Sequence, residues 1–138
     1  MGGFPDGLGW ELPRKRGGQS ENMKTLFILN DPPYGTERSY NALRLAGVLS
    51  SREGEEVKVF LMGDSAGCGK SGQKVPTGSY NLQLMFNKVV RNKGEVGACG
   101  TCMDARGIAE TELIEGIRRS TLEELANWTQ WADKVIVF

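Results

Sequence analysis

The sequence predicts a three-layer α/β/α domain with a mainly parallel sheet of about five strands. Short apolar runs that are typical of buried strands recur along the chain, at 24–30, 57–62, 96–99 and 134–138. Segments with apolar residues at helical spacing separate these runs, at 37–50, 80–93 and 121–131. Strands that alternate with helices through short loops form βαβ units, and βαβ units give a parallel sheet.

Length and composition limit the classes of protein that the chain can belong to. Its 138 residues fit one domain with a proper core. Residues 1–22 are rich in glycine and lack apolar periodicity, so we expect a flexible N-terminal extension or leader, followed by a single domain over 23–138. The formal net charge of zero gives no electrostatic argument for binding nucleic acid or a membrane surface. No apolar run approaches the length that spans a bilayer.

The residue types present also restrict the chemistry. The chain has no histidine, which excludes Ser-His-Asp and Cys-His nucleophiles and histidine-ligated zinc. The three cysteines are Cys68, Cys99 and Cys102. An odd count without a secretion signal indicates a reducing compartment, and we expect the cytoplasm. A second CxxC motif is missing, so we predict no metal and no cofactor.

The first half of the chain predicts a strand, a helix and a strand. The run 24–30 is followed by a loop at 31–36, because paired prolines and a glycine break regular structure there. The helix at 37–50 ends at Ser51-Arg-Glu-Gly-Glu55, and the strand 57–62 follows. Residues 63–79 are rich in glycine and serine and predict a long loop.

The second half predicts two more helices and at least two strands. The helix at 80–93 ends at Gly94, and the strand 95–99 follows. The segment 109–119 is ambiguous and fits a helical turn and then a short strand. Ser120 and Thr121 begin a capping box for a helix that buries Leu122, Leu125 and either Trp128 or Ala132. The run 134–138 predicts a last buried strand.

The sequence Cys99-Gly-Thr-Cys102 carries the main chemical signal. Gly100 allows a turn, Thr101 can cap a short helix over 102–106, and Gly107 can end that helix. Cys99 then sits where a strand ends and the positive end of a helix begins, and this field with Arg106 favours the thiolate. A thioredoxin-like dithiol is an alternative, although the Trp and Pro typical of that motif are absent. A second alternative is that both cysteines are buried and have only a structural role.

A second motif imitates a phosphate-binding loop. Asp64-Ser-Ala-Gly-Cys-Gly69-Lys70-Ser71 resembles G-x-x-x-x-G-K-[ST], but Asp64 occupies the first position and Pro76 lies where a helix should begin. A flexible lid loop is the simpler interpretation. An intermediate one is that Lys70 or Lys74 offers positive charge to an anionic sulfur species.

Several motifs together resemble the DsrE-like family, and its YchN-type branch in particular, over residues 23–138. The matching segments are Asn30-Asp-Pro-Pro-Tyr34-Gly35, Leu43-Arg-Leu-Ala46, Val59-Phe-Leu-Met62, Gly72-Gln-Lys74, Gly78-Ser-Tyr80-Asn81, Cys99-x-Thr-Cys102-x-Asp104-x-Arg106-Gly107-Ile108 and Thr121-x-x-Glu124-Leu125-Ala126-x-Trp128-Thr129-x-x-Ala132-Asp133-Lys134-Val135. The resemblance implies a parallel α/β domain that assembles into trimers or hexamers. It also implies kinship with sulfur-relay proteins, in which one cysteine carries a persulfide.

Carried onto this chain, the resemblance implies that Cys99 holds the persulfide and that Cys102 is its YchN-type companion. Arg106 and Asp104 would tune the thiol, while Tyr34, Gly35 and Lys74 are candidates for substrate binding. We therefore predict a sulfur carrier or sulfurtransferase-like protein that exchanges sulfur with donor and acceptor proteins. The alternatives are a non-catalytic oligomeric interaction or regulatory module with structural cysteines, and a nucleotide-binding enzyme.

Overall fold

The computed structural model describes residues 22–75 and 80–138 and contains one five-stranded parallel sheet. The strands are β1 (Met23–Leu29), β2 (Glu55–Leu61), β3 (Glu95–Cys99), β4 (Ile117–Ser120) and β5 (Lys134–Val137). They lie in the order β4-β3-β2-β1-β5, and every pair is parallel. The helices are α1 (Arg38–Ser50), α2 (Leu82–Arg91), α3 (Gly100–Ala105) and α4 (Leu122–Trp131), with 3₁₀ turns at Gly63–Gly69 and Glu110–Glu112. The predicted fold class is confirmed.

Each face of the sheet carries its own apolar cluster. The larger cluster includes Phe27, Val59 and Leu61 together with buried residues of α1 and α2. The smaller cluster lies on the opposite face and consists of Leu26, Phe60, Leu125 and Trp128. The rings of Phe60 and Trp128 meet edge to face, with their centroids 6.1 Å apart. These two clusters make the three layers that the alternating apolar runs predicted.

The last strand differs from its prediction. The run 134–138 was expected to be buried, but β5 pairs only with β1 among the described strands and lies at the edge of the sheet. Val135 and Val137 are 42% and 63% exposed. An apolar run alone cannot separate a central strand from an edge strand, because strand order depends on long-range pairing.

Two further predictions were wrong in detail. Leu122 is 69% exposed, because it lies in the first turn of α4 and points away from the face that buries Leu125 and Trp128. Residues 63–69 of the predicted loop form a 3₁₀ helix that buries Ala66 and Cys68. Glycine and serine content predicted irregular backbone there and missed the two small apolar residues that anchor it.

Thr121 caps α4 as expected, since its hydroxyl accepts the Glu124 N–H at 3.1 Å.

The parallel sheet aligns the carboxyl ends of its strands along one edge. The Met62 N–H donates to the Leu29 carbonyl, and the Asn30 N–H donates to the Phe138 carbonyl, so the ends of β1, β2 and β5 stay in step. β3 ends at the same edge, at Cys99.

Within the described ranges, no helix is long and apolar enough to cross a membrane. The proposed extension over 1–22 falls, apart from Asn22, outside the described residues.

We predict that Gly94→Ala destabilises the fold because the chain has no room for a methyl group where α2 turns into β3. A Cβ at Gly94 would lie 2.5 Å from Val89 Cγ1 and 3.1 Å from the Val57 carbonyl oxygen. Overpacking of this kind costs about 1–3 kcal/mol of the free energy of unfolding. Thermal and urea unfolding at fixed protein concentration measure the loss.

The matched control is Gly67→Ala, whose Cβ would meet only Pro33 Cδ at an ordinary 3.6 Å. We expect this control to change the free energy of unfolding by less than about 0.5 kcal/mol. Equal stability of the two variants would contradict the packing argument.

Candidate functional site

Cys99 occupies the junction between β3 and α3. It is the last residue of β3, where it pairs with Ser120 of β4, and it is also the N-cap of α3. Its Sγ atom accepts the Cys102 N–H at 3.4 Å. Thr101 was expected to cap a helix beginning at residue 102, and that prediction was wrong: the helix begins at Gly100, because the cysteine sulfur supplies the capping acceptor. Gly107, with φ +66°, ends the turn as predicted.

The surroundings of Cys99 favour its thiolate. Partial burial acts to raise the pKa of the Cys99 thiol, but hydrogen bonds from the Cys102 and Thr101 side chains and from their backbone N–H groups outweigh it, so the pKa is lowered. The Thr101 hydroxyl lies 3.4 Å from the Cys99 Sγ atom. Cys99 is half-buried, whereas Cys68 is enclosed in the core. A thiolate is the form of cysteine that attacks sulfur.

Cys102 has the opposite tendency, although only two residues separate it from Cys99. Its Sγ atom accepts the Gly63 N–H at 3.1 Å, which ties α3 to the 3₁₀ helix after β2. Burial and the hydrogen bond to Cys99 raise the pKa of the Cys102 thiol, and the Gly63 N–H only partly opposes them. Of the two thiols, Cys99 is therefore the one that ionises first as pH rises, while Cys102 keeps its proton to a higher pH. Both cysteines are free thiols.

Arg106, predicted to tune the thiol of Cys99, lies closer to Cys102. Its guanidinium donates to the Cys102 carbonyl oxygen at 3.0 Å and to Asp64 Oδ1 at 2.6 Å. The positive charge of Arg106 acts to lower the pKa of Cys102. The Arg106–Asp64 pair thus joins the end of α3, which carries Cys102, to the 3₁₀ helix at Gly63–Gly69, which carries Cys68.

Asp104, the other predicted tuning residue, pairs with an arginine that the sequence did not suggest. Arg119 on β4 donates from Nη1 to Asp104 Oδ1 at 2.8 Å and from Nη2 to Asp104 Oδ2 at 2.9 Å. These hydrogen bonds hold the pKa of Asp104 below its usual value. Arg119 pairs with Ala98 across the β3–β4 ladder, one position before Cys99. Only the register of that ladder could have revealed this neighbour, and the sequence left β4 ambiguous.

The third cysteine lies outside this site. Cys68 is fully buried in the larger apolar cluster, and burial raises the pKa of its thiol to about 12. The neighbouring phosphate-loop imitation does not take that form, because residues 63–69 make a 3₁₀ helix and Lys70 continues in extended backbone. Lys70 Nζ instead lies 3.6 Å from Glu112 Oε2.

The candidate substrate-binding residues are separated from the cysteines. Tyr34 and Gly35 line an open groove of about 300 Å³ together with Pro33, Thr36, Glu37 and Tyr80. The Tyr34 hydroxyl donates to Gln73 Oε1 at 2.8 Å, which ties the loop after β1 to the segment that carries the exposed Lys74. Among the described residues, neither Cys99 nor Cys102 lines this groove. The structure therefore unites Cys99, Cys102, Arg106 and Asp104, and leaves the other three candidates apart from them.

Known proteins with the same features were found by sequence and by structure. The model of the DsrE/DsrF-like family matches residues 23–138. Protein YchN of Escherichia coli K12 is 42% identical over 117 residues, which cover 84% of this chain and 99% of YchN. Protein MK0008 of Methanopyrus kandleri is 41% identical over 111 residues, which cover 80% of this chain and 90% of that protein. The crystal structure of the E. coli ychN protein matches with a TM-score of 0.79, over 84% of this chain and 99% of that chain.

The family model spans all five strands and the cysteine turn, and the similarity to YchN holds in both sequence and structure. The chain belongs to the DsrE/DsrF-like family and is a relative of YchN.

Proposed function

We propose that this protein is a sulfur carrier that holds a persulfide on Cys99 and passes the outer sulfur to a partner thiol. The observation that carries the proposal is the state of the Cys99 sulfur, which is half-buried and receives hydrogen bonds from the Cys102 N–H and its neighbours. The relation of the DsrE family to sulfur relay supports the same chemistry. A reducing compartment such as the cytoplasm suits a protein that works through free thiols.

The loading step is a transfer of sulfane sulfur without net oxidation. The Cys99 thiolate attacks the outer sulfur of a donor persulfide, R–S–SH. A new bond forms between Cys99 Sγ and that outer sulfur, while the S–S bond of the donor breaks and the donor leaves as R–S⁻. Delivery is the same reaction in the other direction, with an acceptor thiolate as the nucleophile. The hydrogen bonds to Cys99 favour the ionised form of the attacking sulfur before each loading step.

Cys102 is placed for a second reaction of the loaded site. In its thiolate form, Cys102 can attack Cys99 Sγ, which forms a Cys99–Cys102 disulfide and releases the outer sulfur as HS⁻. The raised pKa of Cys102 keeps this thiol protonated and slows that release. We therefore propose that Cys102 is a resolving cysteine held in reserve, so that the persulfide lasts long enough to meet an acceptor.

The alternative of purely structural cysteines is less consistent with the contrast among the three thiols. Cys68 is an example of a structural cysteine in this protein, because it is fully buried and the pKa of its thiol is strongly raised. Cys99 differs from it in both exposure and pKa direction. The nucleotide-binding alternative lacks support, because Lys70 is paired with Glu112 and follows a 3₁₀ helix.

We also propose that the protein works as a homo-oligomer, a trimer or a hexamer, as the family resemblance implies. The supporting observation is an apolar row on the α4 side of the sheet, formed by Val137, Ile28, Met62 and Cys99. Ile28 pairs in register with Val137, and Ile28, Met62 and Cys99 all pack at the border of the smaller cluster. Val137 is 63% exposed, and such surfaces commonly mark partner contacts. A second copy on this row would lie beside Cys99, where its loops could complete a pocket.

We predict that Cys99 reacts with iodoacetamide at a lower pH than the other cysteines. Hydrogen bonds lower the pKa of Cys99, whereas the pKa values of Cys102 and Cys68 are raised, so the Cys99 rate should reach half its maximum first as pH increases. Peptide mass spectrometry against pH gives the three rates separately. Cys99→Ser serves as the control for assignment. A common pH profile for Cys99 and Cys102 would rule out the proposed division of roles.

We predict that incubation with a small persulfide donor adds about 32 Da, the mass of one sulfur atom, to the intact chain on Cys99. Cys99→Ser should take up no sulfur. Cys102→Ser should keep the added sulfur longer than the unmodified protein, because the disulfide-forming release of HS⁻ is removed. Persulfide on Cys99→Ser equal to that on the unmodified chain would refute the assignment.

We predict that Val137→Lys lowers the oligomer mass, because it places a charge on the apolar row. Light scattering after size exclusion should give three or six times the 15.1 kDa of one chain for the unmodified protein. The matched control is Leu84→Lys, since Leu84 is also 63% exposed but lies on α2, away from the row. A monomer mass for the unmodified protein, or equal dissociation of both variants, would count against this surface.

A further inference from the structure

We propose that Arg119 is the positioning residue of the Cys99 site: its guanidinium, fixed by Asp104, lies across Gly100, the residue that follows Cys99, and its charge there favours the Cys99 thiolate. The inference rests on the proposed function in one respect, namely that Cys99 is the reacting thiol. It adds a residue outside the CxxC motif and a division of work between two arginines.

The position of Arg119 follows from the β3–β4 ladder. Ala98 pairs with Arg119 and Cys99 pairs with Ser120, so the Arg119 side chain leaves β4 level with the end of β3. There it crosses the first residue of α3. A Cβ on Gly100 would lie 2.8 Å from both Cζ and Nε of Arg119. The guanidinium therefore rests on the backbone of the residue that follows Cys99, and only a glycine leaves that space free.

Asp104 fixes the plane of this guanidinium. Two parallel hydrogen bonds of 2.8 and 2.9 Å make a bidentate pair, which holds an arginine in one orientation. The two side chains are 39% and 62% exposed. Exposed ion pairs contribute little to the free energy of unfolding, so the arrangement has more consequence for charge placement than for stability. The same pair joins β4 to α3 and spans the turn that begins at Cys99.

The two arginines near the cysteines serve different sulfurs. Arg106 binds the Cys102 carbonyl and Asp64, and its charge acts on Cys102. Arg119 contacts Gly100, and its charge interacts with that of Cys99. Of the titratable groups on the neighbouring elements, Asp104 and Glu110 act on Arg119, and Cys102 is hydrogen-bonded to Cys99. Asp64 is paired with Arg106, and Glu124 is paired with Arg118. Removal of Arg119 therefore leaves Asp104 without its arginine on the turn that begins at Cys99.

Four variants test the proposal through the pH dependence of Cys99 alkylation in the full chain. Arg119→Gln removes the charge and should raise the pH of half-maximal rate by about half a unit or more. Gly100→Ala keeps the charge but pushes the guanidinium off the turn, and it should shift the same value upward. Arg119→Lys keeps a charge without the fork and should restore part of the shift. Arg118→Gln is the matched control, since Arg118 pairs with Glu124 and stacks on Trp128.

The expected pattern is a shift for Arg119→Gln and Gly100→Ala, partial rescue by lysine and no shift for Arg118→Gln. An unchanged Cys99 profile in Arg119→Gln, with or without a lower melting temperature, would overturn the proposal. If Arg119→Gln does not fold, Gly100→Ala decides, and an unchanged profile there overturns it too. Sulfur uptake is measured separately by intact mass, so the failure of the unmodified chain to form a persulfide would reject the proposed function without touching this result.

Discussion

The site depends on the parallel pairing of β3 between β2 and β4. That pairing brings the end of β3 to the edge where the loop after β2 also begins, so that Gly63 can donate to Cys102 and Ser120 can face Cys99. The pairing also requires a residue without a side chain at position 97 of β3. A Cβ at Gly97 would lie 3.1 Å from Ser120 Cβ and 3.3 Å from the Trp128 ring. A methyl group at 97 would press against Ser120, the residue after Arg119 on β4, and against Trp128 of α4.

Small differences in hydrogen bonding separate the two cysteines of one CxxC turn. Cys99, as the N-cap, receives donors from the first turn of α3. Cys102 lies inside that turn and has one backbone donor, from a different element, the Gly63 N–H. The number of donors favours ionisation of Cys99, and the hydrogen bond between the two thiols reinforces the difference, since it stabilises a Cys99 thiolate only while Cys102 keeps its proton. The order of ionisation is therefore a property of the pair.

The sequence predicted what depends on local patterns and missed what depends on strand order. Apolar runs and helical spacing were enough for β1, β2, β3 and β5, the long helices and the Thr121 cap, because these features arise within a few residues, whereas β4 stayed ambiguous. The cysteine turn was located for the same reason. The exposure of Val137, the edge position of β5 and the approach of Arg119 all follow from long-range pairing, which leaves no local signal. The capping role of Cys99 was missed because sulfur is a weaker acceptor than the hydroxyl of Thr101.

The charged side chains around the cysteines form ion pairs that are neutral overall, and the site still favours a Cys99 thiolate. Arg106 is paired with Asp64, and Arg119 is paired with Asp104, so neither arginine brings an excess positive charge. What these pairs supply is direction, because each guanidinium is held by its carboxylate at one place beside the turn. On the α4 side of the sheet, Ile28 and Met62 pack with Cys99 against the smaller apolar cluster. Lower solvent access on that side strengthens nearby electrostatic interactions, so covering the apolar row in an oligomer would increase the effect of each fixed donor and charge on Cys99.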